Sequence, residues 1–211
     1  MQTRILKTNN GPGPDRSLFI SGWAGLPCLF PCLSKKTRFI VPLGPGRAAG
    51  VKSLVEQEWD IIIAWSLGAH LCLKNIRRIR AKRLVLIAPF LDFCRDSSRR
   101  KVLEMISGLG KNPEATVRWF WRMCGIKNAP EVIIEDLPGL ESGLRFLCRS
   151  RIDPAEIVTD LPITLIHGLN DKIVPIRVPE KILEHLPHAC YFSLPYGHLI
   201  PEEEIIRSIY E

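Results

Sequence analysis

The chain has 211 residues, 46% of them hydrophobic, and a formal net charge of +7. That length holds one full core and is too short for two ordinary domains. No stretch reaches the roughly 18 uninterrupted apolar residues of a membrane span and no apolar signal segment follows Met1, which predicts a cytoplasmic protein with no membrane partner.

The excess of Lys and Arg suits an acidic partner or substrate. Nucleic acid is not expected to be that partner: zinc-finger spacing, an aromatic RNA-binding signature and a long basic tail are all missing from the sequence. Seven scattered cysteines, an odd number, read as reduced thiols rather than a disulfide framework. Cys28 and Cys32 are close in sequence but lack the companion ligands of a zinc site, so no metal is expected.

In chain order, the first apolar run, Ser17 to Ser21, predicts a buried strand, and Arg38 to Val41 predicts a shorter one. A helix is expected over Ala48 to Gln57, a strand over Asp60 to Trp65, and a helix over Leu67 to Arg80. Strands are expected again at Arg83 to Ala88, Ile163 to His167 and Cys190 to Leu194, and helices at Pro179 to Leu186 and Pro201 to Tyr210. Alternating strands and helices give an α/β protein whose mostly parallel sheet is flanked by helices on both faces.

Residues 94–156 break the alternation with helical patterns, one weak strand candidate at Val132 to Ile134, and a helix start at Asn112 and Pro113. They read as a small helical cap insertion in a core of residues 1–93 and 157–211. Gly11 to Pro14 and Gly44 to Gly46 read as turns.

The sharpest motif is Ala64-Trp65-Ser66-Leu67-Gly68, between a strand and the helix that opens at Leu67. Small residues two before and two after a serine permit the tight turn that raises its hydroxyl above a sheet. Alternatively, Ser66 is a plain helix cap. Asp171, just past the strand ending at His167, is a candidate acid, or else caps a helix beginning near Arg177. Asp92, after another strand, is a second candidate acid. His198, in Tyr196-Gly197-His198, is the candidate base.

A serine hydroxyl is a weak nucleophile that needs a base, and that base needs a carboxylate to fix its tautomer. Two backbone N–H groups should face the developing oxyanion. Leu67, next to the serine, supplies one, and Trp23 in the glycine-rich turn Ser21-Gly22-Trp23-Ala24-Gly25 supplies the other.

These segments, with His167-Gly168-Leu169-Asn170-Asp171-Lys172-Ile173-Val174-Pro175, resemble the α/β-hydrolase superfamily in residues and in the order Ser66, Asp171, His198. Within it, Gly22-Trp23, Trp65-Ser66-Leu67-Gly68 and Leu140-Glu141-Ser142-Gly143-Leu144-Arg145-Phe146-Leu147 resemble the carboxylesterases of biotin synthesis that cleave the methyl ester of pimeloyl-acyl carrier protein. The segment before Ser17 is short for the hairpin that usually opens the fold, as is the stretch from Trp23 to Ser66. The resemblance implies the α/β-hydrolase fold, an acyl-serine mechanism needing no cofactor, and an acyl pocket lined by Trp23 and Trp65.

Trp119, Phe120 and Trp121 are further candidates to wall an acyl tunnel. Arg118 and Arg122, four apart, and Arg145, Arg149 and Arg151 form basic faces that suit an acyl carrier protein, or are solvated surface charge. The run Arg77, Arg78, Arg80, Lys82 and Arg83 fits the end of a helix dipole instead. The expected substrate is a small-molecule or carrier-linked acyl ester. A thioesterase, a carbon–carbon bond hydrolase and a non-catalytic binding protein on the same scaffold are the competing readings.

Overall fold

A computed structural model describes residues 16–42 and 47–210. The turn expected at Gly11 to Pro14 lies outside these residues, as does that at Gly44 to Gly46. The chain opens with β1 (Ser17–Ile20), α1 (Leu33–Lys36), β2 (Arg38–Ile40), α2 (Arg47–Val55), β3 (Glu58–Trp65), α3 (Leu67–Lys74) and β4 (Arg80–Ile87). Four helices follow, α4 (Phe93–Asp96), α5 (Arg99–Lys111), α6 (Pro113–Met123) and α7 (Leu137–Leu147). Then come β5 (Ile163–Gly168), α8 (Arg177–Leu183), β6 (Cys190–Leu194) and α9 (Glu202–Tyr210).

All strands run parallel in one sheet of order β2-β1-β3-β4-β5-β6. One register row crosses it through Ile40, Ile20, Ala64, Leu86, Leu165 and Tyr191, which aligns the strand C-termini at a common edge. The C-terminal halves of β3 and β4 are fully buried and apolar, as central strands covered on both faces must be. Order reverses beside β1, where the connections to β2 and to β3 leave in opposite directions. A crevice for ligands opens at such a switch point, outside the strand C-termini.

The expected helix over Leu67 to Arg80 stops at Lys74. Asn75 turns its side-chain amide back onto the Leu71 carbonyl, and a single 3-10 turn, Ile76–Arg78, leads into β4. The expected strand at Val132 to Ile134 is absent. Val132 and Ile134 pack inward and Ile133 is 63% exposed, so the alternation reflects one-sided burial without a ladder.

Helices α5, α6 and α7 each bury one stripe, led by Val102, Met105 and Leu109 on α5, Phe120 and Trp121 on α6, and Leu140 and Leu144 on α7. Asn112 starts α6 as expected, its side chain accepting the Ala115 N–H at 2.9 Å with Pro113 first in the helix. Among the described residues, no helix is long and apolar enough to cross a membrane.

Candidate active site

Strand β3 ends against a sharp turn at Ser66, whose φ of 54° and ψ of −112° are unfavourable for a residue with a side chain. Such a conformation costs on the order of 1–3 kcal/mol and survives only where neighbours impose it. Here the Ser66 N–H donates to Ile87 O at 2.8 Å, and α3 starts hard against the end of β1. A Cβ on Gly68 would run into the Ile20 carbonyl oxygen, so only glycine fits at this position. Ser66 precedes α3 but makes no side-chain cap bond, leaving its hydroxyl for another partner.

That partner is His198, whose Nε2 stands 2.8 Å from Ser66 Oγ, while its Nδ1 stands 2.7 Å from Asp171 Oδ2. A carboxylate only accepts, so Nδ1–H donates to Asp171 and Nε2 receives the Ser66 O–H. Asp171 is held in turn by its other oxygen, Oδ1, which accepts the N–H groups of Ile173 at 2.7 Å and Val174 at 2.9 Å. It therefore caps the turn after β5, not the helix near Arg177, which begins after Ile176 with no side-chain cap.

The His198 and Asp171 side chains are both fully buried. Burial alone would raise the Asp171 pKa, but the charge and hydrogen bond of His198, with His167 and the Val174 N–H, outweigh it and hold the carboxyl below its ordinary range. Asp92, the other candidate acid, accepts the Arg95 N–H at the start of α4 and pairs with Arg151.

Trp23 and Leu67 both border the cavity that Ser66 faces, and among the described residues neither backbone N–H has an acceptor. The turn carrying Trp23 is tightly fixed. Ser21 Oγ donates to Gly25 O at 2.6 Å, and Ala24 sits at a φ of 51°. Two indoles bolt this turn to the helices above: Trp23 Nε1 donates to Leu140 O and Trp121 Nε1 to Ala24 O, each at 2.8 Å.

The cavity over Ser66 is a narrow cleft with about 540 Å³ of unfilled space, counted out to its open mouth. Trp119 and Phe120 line it, as does Trp23, with its ring edge-on to Phe120 at 4.8 Å. Trp65 does not. It is wholly buried, and its indole N–H donates to the His198 carbonyl at 2.9 Å, so it braces His198 from behind. Trp121 is likewise buried away from the cleft. Sequence reasoning missed Phe93, Met105, Met123, Leu144 and Leu147 as wall residues, along with Lys101 and Lys172. The helical patterns of residues 94–156 gave no sign of which residues border a void.

All five arginines on the expected basic faces are exposed. Arg145 pairs with Glu141 at 2.6 Å and Arg151 with Asp92 at 3.3 Å, whereas Arg118, Arg122 and Arg149 have no ion partner among the described residues. No cluster of three or more His, Cys, Asp or Glu residues able to hold a metal occurs among the described residues.

A second serine–histidine pair lies elsewhere in the core. His70 on α3 has Nε2 at 2.8 Å from Ser150 Oγ and Nδ1 at 3.0 Å from Phe90 O, and Lys74 Nζ donates to Ser150 Oγ at 3.1 Å. Burial lowers the His70 pKa to about 4.

No protein-family model and no curated protein matches this sequence. Solved structures do. An esterase from Exiguobacterium antarcticum superposes with a TM-score of 0.71 at 15% identity, over 95% of this chain and 91% of that one. A hydrolase from Pseudomonas aeruginosa PA01 gives 0.70 at 16% identity, over 95% and 89%. A bromoperoxidase from Bacillus anthracis gives 0.66 at 15% identity, over 94% and 93%. A likeness this distant, to proteins named for different activities, speaks for architecture, and with the parallel sheet and its flanking helices it shows that the chain has the α/β-hydrolase fold.

Proposed function

We propose that the protein is a serine hydrolase that cleaves carboxylic esters through an acyl-serine intermediate, with residues 94–156 as a cap over the site. The observation that carries this reading is the unbroken chain of hydrogen bonds from Ser66 Oγ through His198 to Asp171, at 2.8 Å and 2.7 Å, opening on an apolar cleft. His198 Nε2 takes the hydroxyl proton as Ser66 Oγ attacks the ester carbonyl. Asp171 stabilises the imidazolium that forms. The unengaged N–H groups of Trp23 and Leu67 receive the oxyanion. As the intermediate collapses, the proton on Nε2 passes to the departing alcohol. A water activated by the same nitrogen then hydrolyses the acyl-serine.

The esterases and hydrolases among the structural neighbours favour ester hydrolysis over the other chemistries this fold supports. The finer reading is a pimeloyl-acyl carrier protein methyl ester substrate in biotin synthesis. It draws on the motif resemblance, on the apolar walls contributed by Trp23, Trp119 and Phe120, and on the unpaired Arg118, Arg122 and Arg149 as docking points for an acidic carrier. Seven cysteines, odd in number and without the spacing of a disulfide framework, suit a reducing cytoplasm.

The deciding experiment is rapid-mixing hydrolysis of p-nitrophenyl acyl esters of graded chain length. A burst of p-nitrophenol that disappears in Ser66→Ala is the expected result. Turnover that survives this substitution overturns the reading, and absence of any hydrolysis favours a binding protein on the same scaffold.

A further inference from the structure

We propose that Lys101 and Lys172 form an anion subsite at the cleft over Ser66, so that the ester taken there is amphipathic, an apolar chain bearing an anionic oxygen group such as a carboxylate or phosphate. The substrate statement rests on the ester-hydrolase reading. The anion subsite itself does not. Its first ground is the composition of the lining: Lys101 and Lys172 carry its only charges, both positive, among walls such as Leu67, Val102, Phe120 and Leu144. Low-dielectric walls focus the field of nearby charges into a cleft.

Neither lysine is neutralised by a described residue. Among the described residues no carboxylate pairs with either, although the neighbouring Arg100 pairs with Glu104 at 3.3 Å. Asp171, next to Lys172, is committed through both oxygens to His198 and to the turn. Helix energetics do not account for Lys101 either. It lies in the first turn of α5 with Arg99 and Arg100 and no acidic residue, at the end where the helix dipole disfavours cations. A bound anion offsets that cost.

Position supplies the third ground. A surface cleft between α5 and α6, bordered by Gly108 and Thr116, shares Lys101, Met105 and Trp119 with the cleft over Ser66. Lys101 thus stands where the apolar interior meets water, the place where a ligand can bury its chain and keep its charged group hydrated and paired.

The test is a titration of tryptophan fluorescence, which reports occupancy because Trp23 and Trp119 line the cleft. Octanoate, octyl phosphate and octan-1-ol are compared at low salt. At least one anion is expected to bind about tenfold more tightly than the alcohol, the gain from one or two partly screened ion pairs, and to lose the advantage at high salt. The two anions against each other show whether carboxylate or phosphate is preferred. The double variant Lys101→Gln, Lys172→Gln should bring the ratio close to one, and Lys101→Arg, Lys172→Arg should restore it. Equal binding of anions and alcohol by the wild type overturns the subsite, and so does a preference that survives in the double Gln variant. Binding is read without turnover, so a failure of the hydrolase reading leaves this result standing, while Ser66-dependent hydrolysis without anion preference sinks the subsite alone.

Discussion

Two serine–histidine pairs lie in this core at the same 2.8 Å separation, Ser66 with His198 and Ser150 with His70, and both histidines are fully buried. They differ in what stands behind the ring. His198 Nδ1 faces the carboxylate of Asp171, which can stabilise an imidazolium, whereas His70 Nδ1 faces the neutral Phe90 carbonyl, with the Lys74 ammonium nearby opposing any second positive charge. They differ also in front: Ser66 opens on a cleft beside two unengaged N–H groups, while Ser150 borders neither cleft. A short serine–histidine contact is therefore not in itself a nucleophile, because the reaction needs an electrostatic partner for the base and a place for the oxyanion.

The largest effect expected from this contrast is on turnover. Ser66→Ala should lower kcat for a p-nitrophenyl ester by about a millionfold, the scale seen when a nucleophile acting as one unit with its base is lost. Ser150→Ala should leave kcat and KM little changed. If the two variants lose turnover equally, the partner behind the ring is not what separates the pairs.

Next in size is Asp171→Asn. Its Oδ1 can still accept the Ile173 and Val174 N–H groups, so the turn persists, but an amide facing His198 favours the wrong tautomer and cannot balance an imidazolium. A fall in kcat of about ten-thousandfold is expected, out of proportion to the modest stability lost with the carboxylate's charge. A loss confined to KM would mean that Asp171 shapes the cleft rather than the base.

How much of this was legible in the sequence follows the same contrast. The four inner strands could be read because a parallel strand buried on both faces leaves a largely apolar run, as in Leu84 to Ile87, whereas the half-exposed edge strands β2 and β6 left only shorter ones. The meeting of Ser66, Asp171 and His198 at one edge could be read because each follows a strand within a few residues. The Ser150–His70 pair could not, since neither residue follows a strand or sits in a pattern that local periodicity or turn chemistry detects as a pairing. Trp65 shows the same limit. Its place beside Ser66 in sequence suggested the acyl pocket, but adjacent residues at the end of a strand point to opposite faces, and Trp65 went under the sheet edge to brace His198.

The buried His70 should also make stability depend on pH. Its folded pKa of about 4 lies below the unfolded value near 6.5, so the unfolded chain binds the extra proton between these limits. The neutral ring contributes its full share above about pH 6.5, and that share declines as pH falls toward about 4, a loss on the order of 3 kcal/mol. Asp171, with its pKa lowered in the fold, acts below this window, its contribution fading as pH falls below the ordinary carboxylate value. Urea unfolding of wild type and His70→Gln between pH 7 and pH 4 checks this: the wild type should lose more stability across the window than the variant, and parallel curves would mean that His70 is not buried as a neutral ring.

The smallest effect returns to Ser150. Removing its hydroxyl leaves His70 Nε2 without a donor inside the core and takes one acceptor from Lys74, which keeps the Arg151 carbonyl at 3.3 Å. A buried acceptor left unpaired costs about 1–3 kcal/mol, and here the lower end is expected because Lys74 can reach solvent. The network ties α3, which follows the turn at Ser66, to the segment after α7, so a lowered unfolding midpoint should come without a matching change in kcat. If Ser150→Ala instead slows turnover while stability holds, α3 owes its position to this second pair, and the two pairs are coupled rather than merely alike.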